Sequence, residues 1–206
     1  MSQFLSMRNV YGTLLNSRAE YDEWAPRMNE APYKAPPKWP VLYVKPANTW
    51  SADGDEVAVP AGGAEVGATI AMVMKGPGEI AGYVLMNDWA LPHASYFRPP
   101  VKQRCRDGFL GVGRTLLDAA QAVDPSWLVV EVRINGELVQ TMQFNELMRP
   151  PEKLLADVGE FMTLGAGDML MVGLGAGRPL AQAGDNVELR GEGLGSLTQK
   201  LVGEAA

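Results

Sequence analysis

At 206 residues, with 47% hydrophobic and 20% charged side chains, the chain has the composition of one globular domain with a full core, and neither a disordered nor a fibrous class fits. A formal net charge of −6 and a pI near 4.9 argue against a nucleic-acid partner, which needs concentrated basic surface to displace counterions. The single cysteine, Cys105, excludes an internal disulfide framework and a multi-cysteine zinc site, and it fits a reducing cytosol.

The N-terminal MSQFLSMRNV has no basic stretch leading into a long apolar one, and no later run approaches membrane-spanning length. The expectation is a cytoplasmic protein with no membrane partner. Residues 17 to 28 predict a helix, with Ser17 as cap and Tyr21, Trp24 and Met28 on one face. Lys34, Lys38 and Lys45 are the nearest approach to a basic stretch, but Pro36, Pro37 and Pro40 interrupt them, which predicts a solvated loop.

Apolar runs at 41 to 44, 68 to 74, 80 to 86, 128 to 134, 169 to 174 and 186 to 191 predict strands that outnumber the helices. The third of these runs matters most: IAGYVLM runs into Asn87 and Asp88, placing a carboxylate at a strand end. LVVEVRI followed by Asn135-Gly136 predicts a tight hairpin, because a primed turn needs positive φ at both central residues. Pro150-Pro151 opens a predicted helix over 150 to 161 carrying Leu154, Leu155, Val158 and Phe161. The Gly-Asp pairs that open AGAGDMLMV and LAQAGDNVEL predict turns.

Signals for chemistry are sparse. His93 is the single histidine, and no nucleophile elbow or Cys-His pattern accompanies it. GLGAG at 173 to 177 runs into Arg178-Pro179 instead of a helix, so it reads as a Gly-rich turn and not a phosphate cradle.

The segments LNSRAEYDEW, KPANTW, AGYVLMNDWA, RCRDGF, INGELVQ and EFMTLGAGDMLMVG, in that order, resemble the fumarylacetoacetate hydrolase family from about residue 12 to the C-terminus. YKAPPK, YFRPP and CRDGF look most like the N-terminal half of the tandemly duplicated isomerase/decarboxylase of homoprotocatechuate (4-hydroxyphenylacetate) meta-cleavage. The resemblance implies a mainly β (α+β) fold, a mixed β-sandwich roll with a few flanking helices. It also implies a single domain over 1–206, with 1–11 as a candidate N-terminal extension.

The family holds Mg2+ or Mn2+ on a Glu-x-Glu strand and an Asp at another strand end, and the ion stabilises an enolate of a 2-oxo acid. Carried onto this sequence, the metal Asp is Asp88, while the Glu-x-Glu positions fall on Gly67 and Thr69. Glu65 lies two residues early and has no paired Glu. The catalytic lysine position is Arg104, the Arg after the metal Asp is Pro92, and the family's His-x-x-Glu falls on Glu20 and Glu23. Leu174 stands where the family's substrate-binding turn has threonine.

These replacements imply a degenerate site whose metal binding is weak or absent, with Glu23 and Arg104 as the inherited catalytic positions. Glutamates restored at 67 and 69 are expected to strengthen it. Three readings follow: an isomerase/decarboxylase subunit for unsaturated 2-oxo dicarboxylic acids in aromatic catabolism, a non-catalytic partner of a metal-bearing homologue, or a homodimer that binds a small carboxylate through Arg104. Asp88 is expected to cap the strand end, His93 to sit in a partly exposed loop, and Arg104 and Arg106 to pair with Asp107 or Glu23. An apolar face would make the chain an oligomer.

Overall fold

The computed structural model describes residues 8–97, 100–122 and 124–204. A mixed sheet of seven strands has the spatial order Val41–Lys45, Val10–Leu14, Met169–Met171, Ala68–Gly76, Glu79–Asp88, Leu110–Asp118 and Trp50–Ala52. Its parallel pairings are those of Val10–Leu14 with Met169–Met171 and of Trp50–Ala52 with Leu110–Asp118. A second sheet of five strands runs Glu137–Gln143, Val129–Ile134, Asn186–Gly191, Gly195–Gly203 and Glu56–Val59. Leu180–Ala181 and Ala64–Glu65 form a separate two-stranded ladder. The fold is the mainly β sandwich roll the resemblance implied, and no described helix is long and apolar enough to cross a membrane.

The two sheets bury their strands differently. Asn186–Gly191 and Glu56–Val59 alternate between buried and more exposed residues, so each gives one face to the core. Ala68–Gly76 is buried along seven consecutive residues. Ile70 and Met72 enter the main core between the sheets, while Ala71 and Val73 enter a second cluster with Val84, Met86 and Leu110 on the other side. Burial on both faces explains why ATIAMVM is apolar at every position but Thr69. Each such side chain withdrawn from water contributes about 1.5–3 kcal/mol.

Asn135 (φ 53°) and Gly136 (φ 88°) make the hairpin turn between Val129–Ile134 and Glu137–Gln143. The first helix runs Arg18–Trp24 and continues as one 3-10 turn, Ala25–Arg27, around Pro26. Ser17 caps it by accepting from the Glu20 N–H at 3.0 Å, and Trp24 and Met28 are buried. The helix at the other site is Pro151–Gly159, shorter than its apolar pattern, so Phe161 falls beyond it and is 58% exposed. The strand predicted over 169 to 174 stops at Met171.

The candidate N-terminal extension is structured at its end, where Val10 and Tyr11 pair with Met169 and Leu170; residues 1–7 lie outside the described set, as do Arg98 and Pro99 of YFRPP. Leu110–Asp118 was not predicted as a strand because Gly111 and Gly113 interrupt its pattern. A Cβ on Gly111 would lie 2.2 Å from Gln199 Oε1, so the gap in the strand is filled by a side chain of the facing sheet.

Candidate functional site

The strand Glu79–Asp88 delivers Asp88 into the buried interior. Alternation sends its neighbours Asn87 and Trp89 the other way, where Gln199 Oε1 accepts from Trp89 Nε1 at 2.9 Å and from Asn87 Nδ2 at 3.4 Å. Asn87 Oδ1 accepts from the Gly67 N–H at 3.0 Å, and the Asp88 N–H donates to the Gly67 carbonyl at 2.8 Å. The strand end is thereby fixed on both sides. The Asn-Asp-Trp sequence is one carboxylate flanked by its two anchors.

Asp88 is fully buried and surrounded by donors. Arg104 Nη1 lies 2.6 Å from its Oδ2, Tyr43 O–H donates to the same oxygen, and Lys45 Nζ lies 2.8 Å from Oδ1. Lys45 Nζ also donates to the main-chain carbonyls of Arg104 at 2.5 Å, Phe109 at 2.7 Å and Trp89 at 3.5 Å. The ammonium therefore sits in a shell of four oxygens. Burial by itself would raise the Asp88 carboxyl, but the charges of Lys45 and Arg104 and the hydrogen bonds from Lys45 and Tyr43 hold it below the usual carboxylate value. Burial lowers the Lys45 pKa, with Asp88 opposing that shift. Burial also works against the Arg104 charge, yet the acidic groups facing it, Tyr43 and Asp88 foremost, raise its pKa.

Lys45 was expected in a solvated loop with Lys34 and Lys38. It ends the strand Val41–Lys45 instead, two residues after Tyr43 and on the same face, and is 1% exposed. Arg104 was expected to pair with Asp107 or Glu23, and it pairs with Asp88. Arg106 pairs with Glu204, and Asp107 accepts from Asn48 Nδ2 at 2.7 Å. Asp88, expected to bond backbone at the strand end, is an ion-pair centre.

A second group of polar residues adjoins this one. Glu20 Oε2 accepts from the Leu15 N–H at 2.6 Å, and Oε1 accepts from Tyr96 O–H at 3.0 Å. Leu15 is held at φ 59°, a conformation that leucine rarely adopts. Tyr96 stacks on Trp24 with centroids 4.2 Å apart. Burial raises the Glu20 carboxyl, although Arg178, its two hydrogen bonds and Arg104 pull it down. Arg178 Nη2 lies 2.5 Å from Glu65 Oε2, brought there by the ladder of Ala64–Glu65 with Leu180–Ala181. His93 is partly buried in its loop, as expected, with Nδ1 2.8 Å from the Leu91 carbonyl; burial lowers its pKa.

Glu23, an inherited catalytic position, is exposed on the first helix and makes no hydrogen bond or ion pair to another described residue. Glu20 is the carboxylate of that helix that turns inward. Sequence reasoning missed Glu20, Lys45 and Arg178 as site residues. Ser17-x-x-Glu20 carried a signal for the first, since a cap followed by Glu three residues later marks a carboxylate that bends back over the helix start.

The residues present do not fit a divalent ion. Both Asp88 oxygens are engaged by cations, and Thr69 Oγ1 donates to the Gly173 carbonyl at 2.6 Å. A Cβ at position 67 would lie 2.1 Å from the Asp88 carbonyl oxygen, so no side chain enters there unless backbone moves. The expectation that glutamates at 67 and 69 would rebuild the site is corrected on that ground. Among the described residues, no three His, Cys, Asp or Glu side chains converge.

Comparison with known proteins places the chain among its relatives. The 4-hydroxyphenylacetate degradation bifunctional isomerase/decarboxylases of Escherichia coli and Salmonella dublin are 35% and 33% identical to the chain. Each match covers 95% of this chain and 47% of the relative, so the chain spans about half the length of the curated relatives it matches. Among solved structures, 2-hydroxyhepta-2,4-diene-1,7-dioate isomerase from Mycobacterium marinum superposes with a TM-score of 0.80 at 21% identity, covering 100% of this chain and 78% of that one. Fumarylpyruvate hydrolase from Pseudomonas aeruginosa, solved with Mn2+ and pyruvate, gives a TM-score of 0.77 at 19% identity, covering 96% and 91%. The family model "Fumarylacetoacetate (FAA) hydrolase C-terminal" matches residues 9–202, and the chain belongs to the fumarylacetoacetate hydrolase family.

Proposed function

We propose that this chain is a metal-free subunit of an isomerase/decarboxylase for unsaturated 2-oxo dicarboxylic acids in aromatic-compound catabolism, working in the cytoplasm beside a homologue that carries the metal. The observation that carries the reading is the neutralisation of Asp88 by Lys45 and Arg104, which supply the positive charge that a metal would otherwise bring. A divalent ion would have to displace an ammonium bound by four oxygens and then find further carboxylates. Likeness over half the length of bifunctional relatives supports pairing with a second chain of the same family.

Calorimetric titration with Mg2+ and Mn2+ tests the metal-free part. No saturable binding at micromolar concentrations is expected; micromolar binding that disappears in Asp88→Ala would sink it. Co-expression with a metal-bearing homologue, size-exclusion chromatography and turnover of a 2-oxo dicarboxylate test the pairing. Metal-dependent turnover by this chain alone would favour a self-sufficient enzyme.

A second reading rests on Glu20. A buried carboxyl with a raised pKa, hydrogen-bonded to a tyrosine and adjoining two arginines, is suited to moving a proton on an enolisable acid without a metal. Metal-independent tautomerisation lost in Glu20→Gln would decide for it.

A further inference from the structure

Apart from the Asp88 and Glu20 groups, a cavity of about 450 Å³ opens between three segments: the turn after Val10–Leu14, the proline-rich loop before Val41–Lys45, and the helix Pro151–Gly159. None of Glu20, Tyr43, Lys45, Asp88 and Arg104 lines it, although Leu15, whose N–H Glu20 holds, does. One residue ties the three walls together. Arg149 donates through its backbone N–H to Asn16 Oδ1 at 3.0 Å, through Nη2 to the Lys38 carbonyl at 2.7 Å and through Nε to Asp157 Oδ2 at 2.9 Å. Pro36, Pro37 and Pro40 restrict the φ angles of the loop, so that wall has little freedom to lose when a ligand binds. A preformed hollow of this size is in the range of small-molecule sites.

Its lining selects among ligands. Leu14, Leu15 and Val41 supply apolar surface, and Tyr21 and Trp39 add two aromatic rings. Trp39 is 57% exposed and makes no ring contact with another described aromatic side chain, which leaves the indole as a stacking surface without a partner. The charges are unequal: Lys38, Arg149 and Lys153 line the cavity with Asp157 and Glu160, an excess of one positive charge. Both Asp157 oxygens are already engaged, Oδ1 by Lys153 at 2.5 Å and Oδ2 by Arg149, and these bonds, that of Lys153 foremost, hold its carboxyl below the usual value. Lys38 is exposed, and its ammonium has no partner among the described residues. Glu160 also borders a neighbouring hollow with Leu155 and Gly159, so it stands on the ridge between the two.

We propose that this cavity binds a planar aromatic acid with a single carboxylate, its ring against Trp39 and Tyr21 and its carboxylate toward Lys38 and Lys153. An aromatic ring gains both apolar burial and stacking there, and an ammonium-carboxylate contact is a charge-assisted hydrogen bond. Charge sets the sign of the ligand. A monoanion cancels the excess positive charge of the lining, whereas a cation adds to it and a zwitterion leaves it unchanged. The site needs neither a metal nor a partner chain and stands apart from the proposed function.

The test is titration of the whole chain with 2-naphthoate, read by calorimetry and by the ligand-induced rise in melting temperature. Saturable binding is expected. Two analogues, 2-naphthylmethylammonium with reversed charge and cyclohexanecarboxylate without the planar ring, should each bind about ten-fold more weakly or worse. Trp39→Leu should weaken 2-naphthoate by about ten-fold, and Lys38→Met combined with Lys153→Met by a similar factor. All three side chains are exposed, so the variants should melt close to the parent when no ligand is present. The proposal falls if the folded parent shows no saturable binding up to about 5 mM. It also falls if Trp39→Leu or the double lysine variant binds as tightly as the parent, or if either analogue or the zwitterionic 2-naphthylalanine matches 2-naphthoate. Binding lost in Arg104→Lys and kept in Trp39→Leu would put the ligand at the Asp88 cluster instead, which overturns it as well.

Discussion

Asp88 and Glu20 are two carboxylates with nearly the same burial, 0% and 2% exposed, and their pKa values move in opposite directions. The difference lies in what touches them. Asp88 has an ammonium and a guanidinium within 2.8 Å, and their charge outweighs the loss of water. Glu20 has a backbone N–H and a tyrosine hydroxyl in contact, with both arginines acting on it only through charge. Neutral donors offset only part of the desolvation cost. Burial therefore does not decide how a carboxylate behaves; the cations in direct contact do.

The sharpest way to break that contrast is Asp88→Ala. It leaves Lys45 and Arg104 buried against each other with no counter-charge, and a loss of about 3–5 kcal/mol is expected in urea denaturation at neutral pH. A loss below about 1 kcal/mol would mean that the two cations are not held by Asp88 at all. The pH dependence has a definite sign. Because the folded-state pKa of Asp88 is depressed, its contribution is present above the unfolded value of 3.8 and is lost as pH falls through the folded value.

Glu20→Gln is expected to act more weakly and with the opposite sign. The amide can still accept from Leu15 and donate to the Tyr96 oxygen, so the contacts survive while the charge goes. A raised folded-state pKa favours the fold below the unfolded value of 4.5, and that advantage disappears as pH rises through the folded value. The parent should therefore lose stability relative to the variant over that interval. Parallel denaturation curves from acid to neutral pH test this; a parent that gains on the variant as pH rises would contradict it. Smallest of all is Glu23→Ala, which should change stability by about 0.5 kcal/mol or less, since the side chain is exposed. If catalysis is found and Glu23→Ala abolishes it, the inherited position matters despite its exposure.

The legible and illegible parts of this molecule divide along the same line as local and long-range information. Asp88 could be found because an apolar strand pattern ends on it, and the turn at Asn135-Gly136 because its backbone demands those residues. Lys45 could not. A lysine followed by proline reads as the start of a loop, and the oxygens that hold it come from Asp88, Trp89, Arg104 and Phe109, more than 40 positions away. The missed strand Leu110–Asp118 has the same cause, since its glycines make room for Gln199 and Leu85 and mean nothing until those partners are known. Glu23 was named from the resemblance alone, and only the structure shows how the two glutamates differ: three residues apart on one helix, one side chain meets Leu15 and Tyr96 and the other meets solvent.

The contact between Gly67 and the Asp88 carbonyl also limits which side chains this backbone can admit. Two strands that approach until a Cβ would stand 2.1 Å from a carbonyl oxygen have closed over the place where a side chain could project. A glutamate arriving there by one mutation meets a closed backbone before it meets any ion. Thr69 is itself buried with its hydroxyl donating to the Gly173 carbonyl, so a glutamate there would lose that bond and bury a new charge. Substitution at either position alone therefore meets its own obstacle in this backbone, a main-chain carbonyl at 67 and the burial of a new charge at 69.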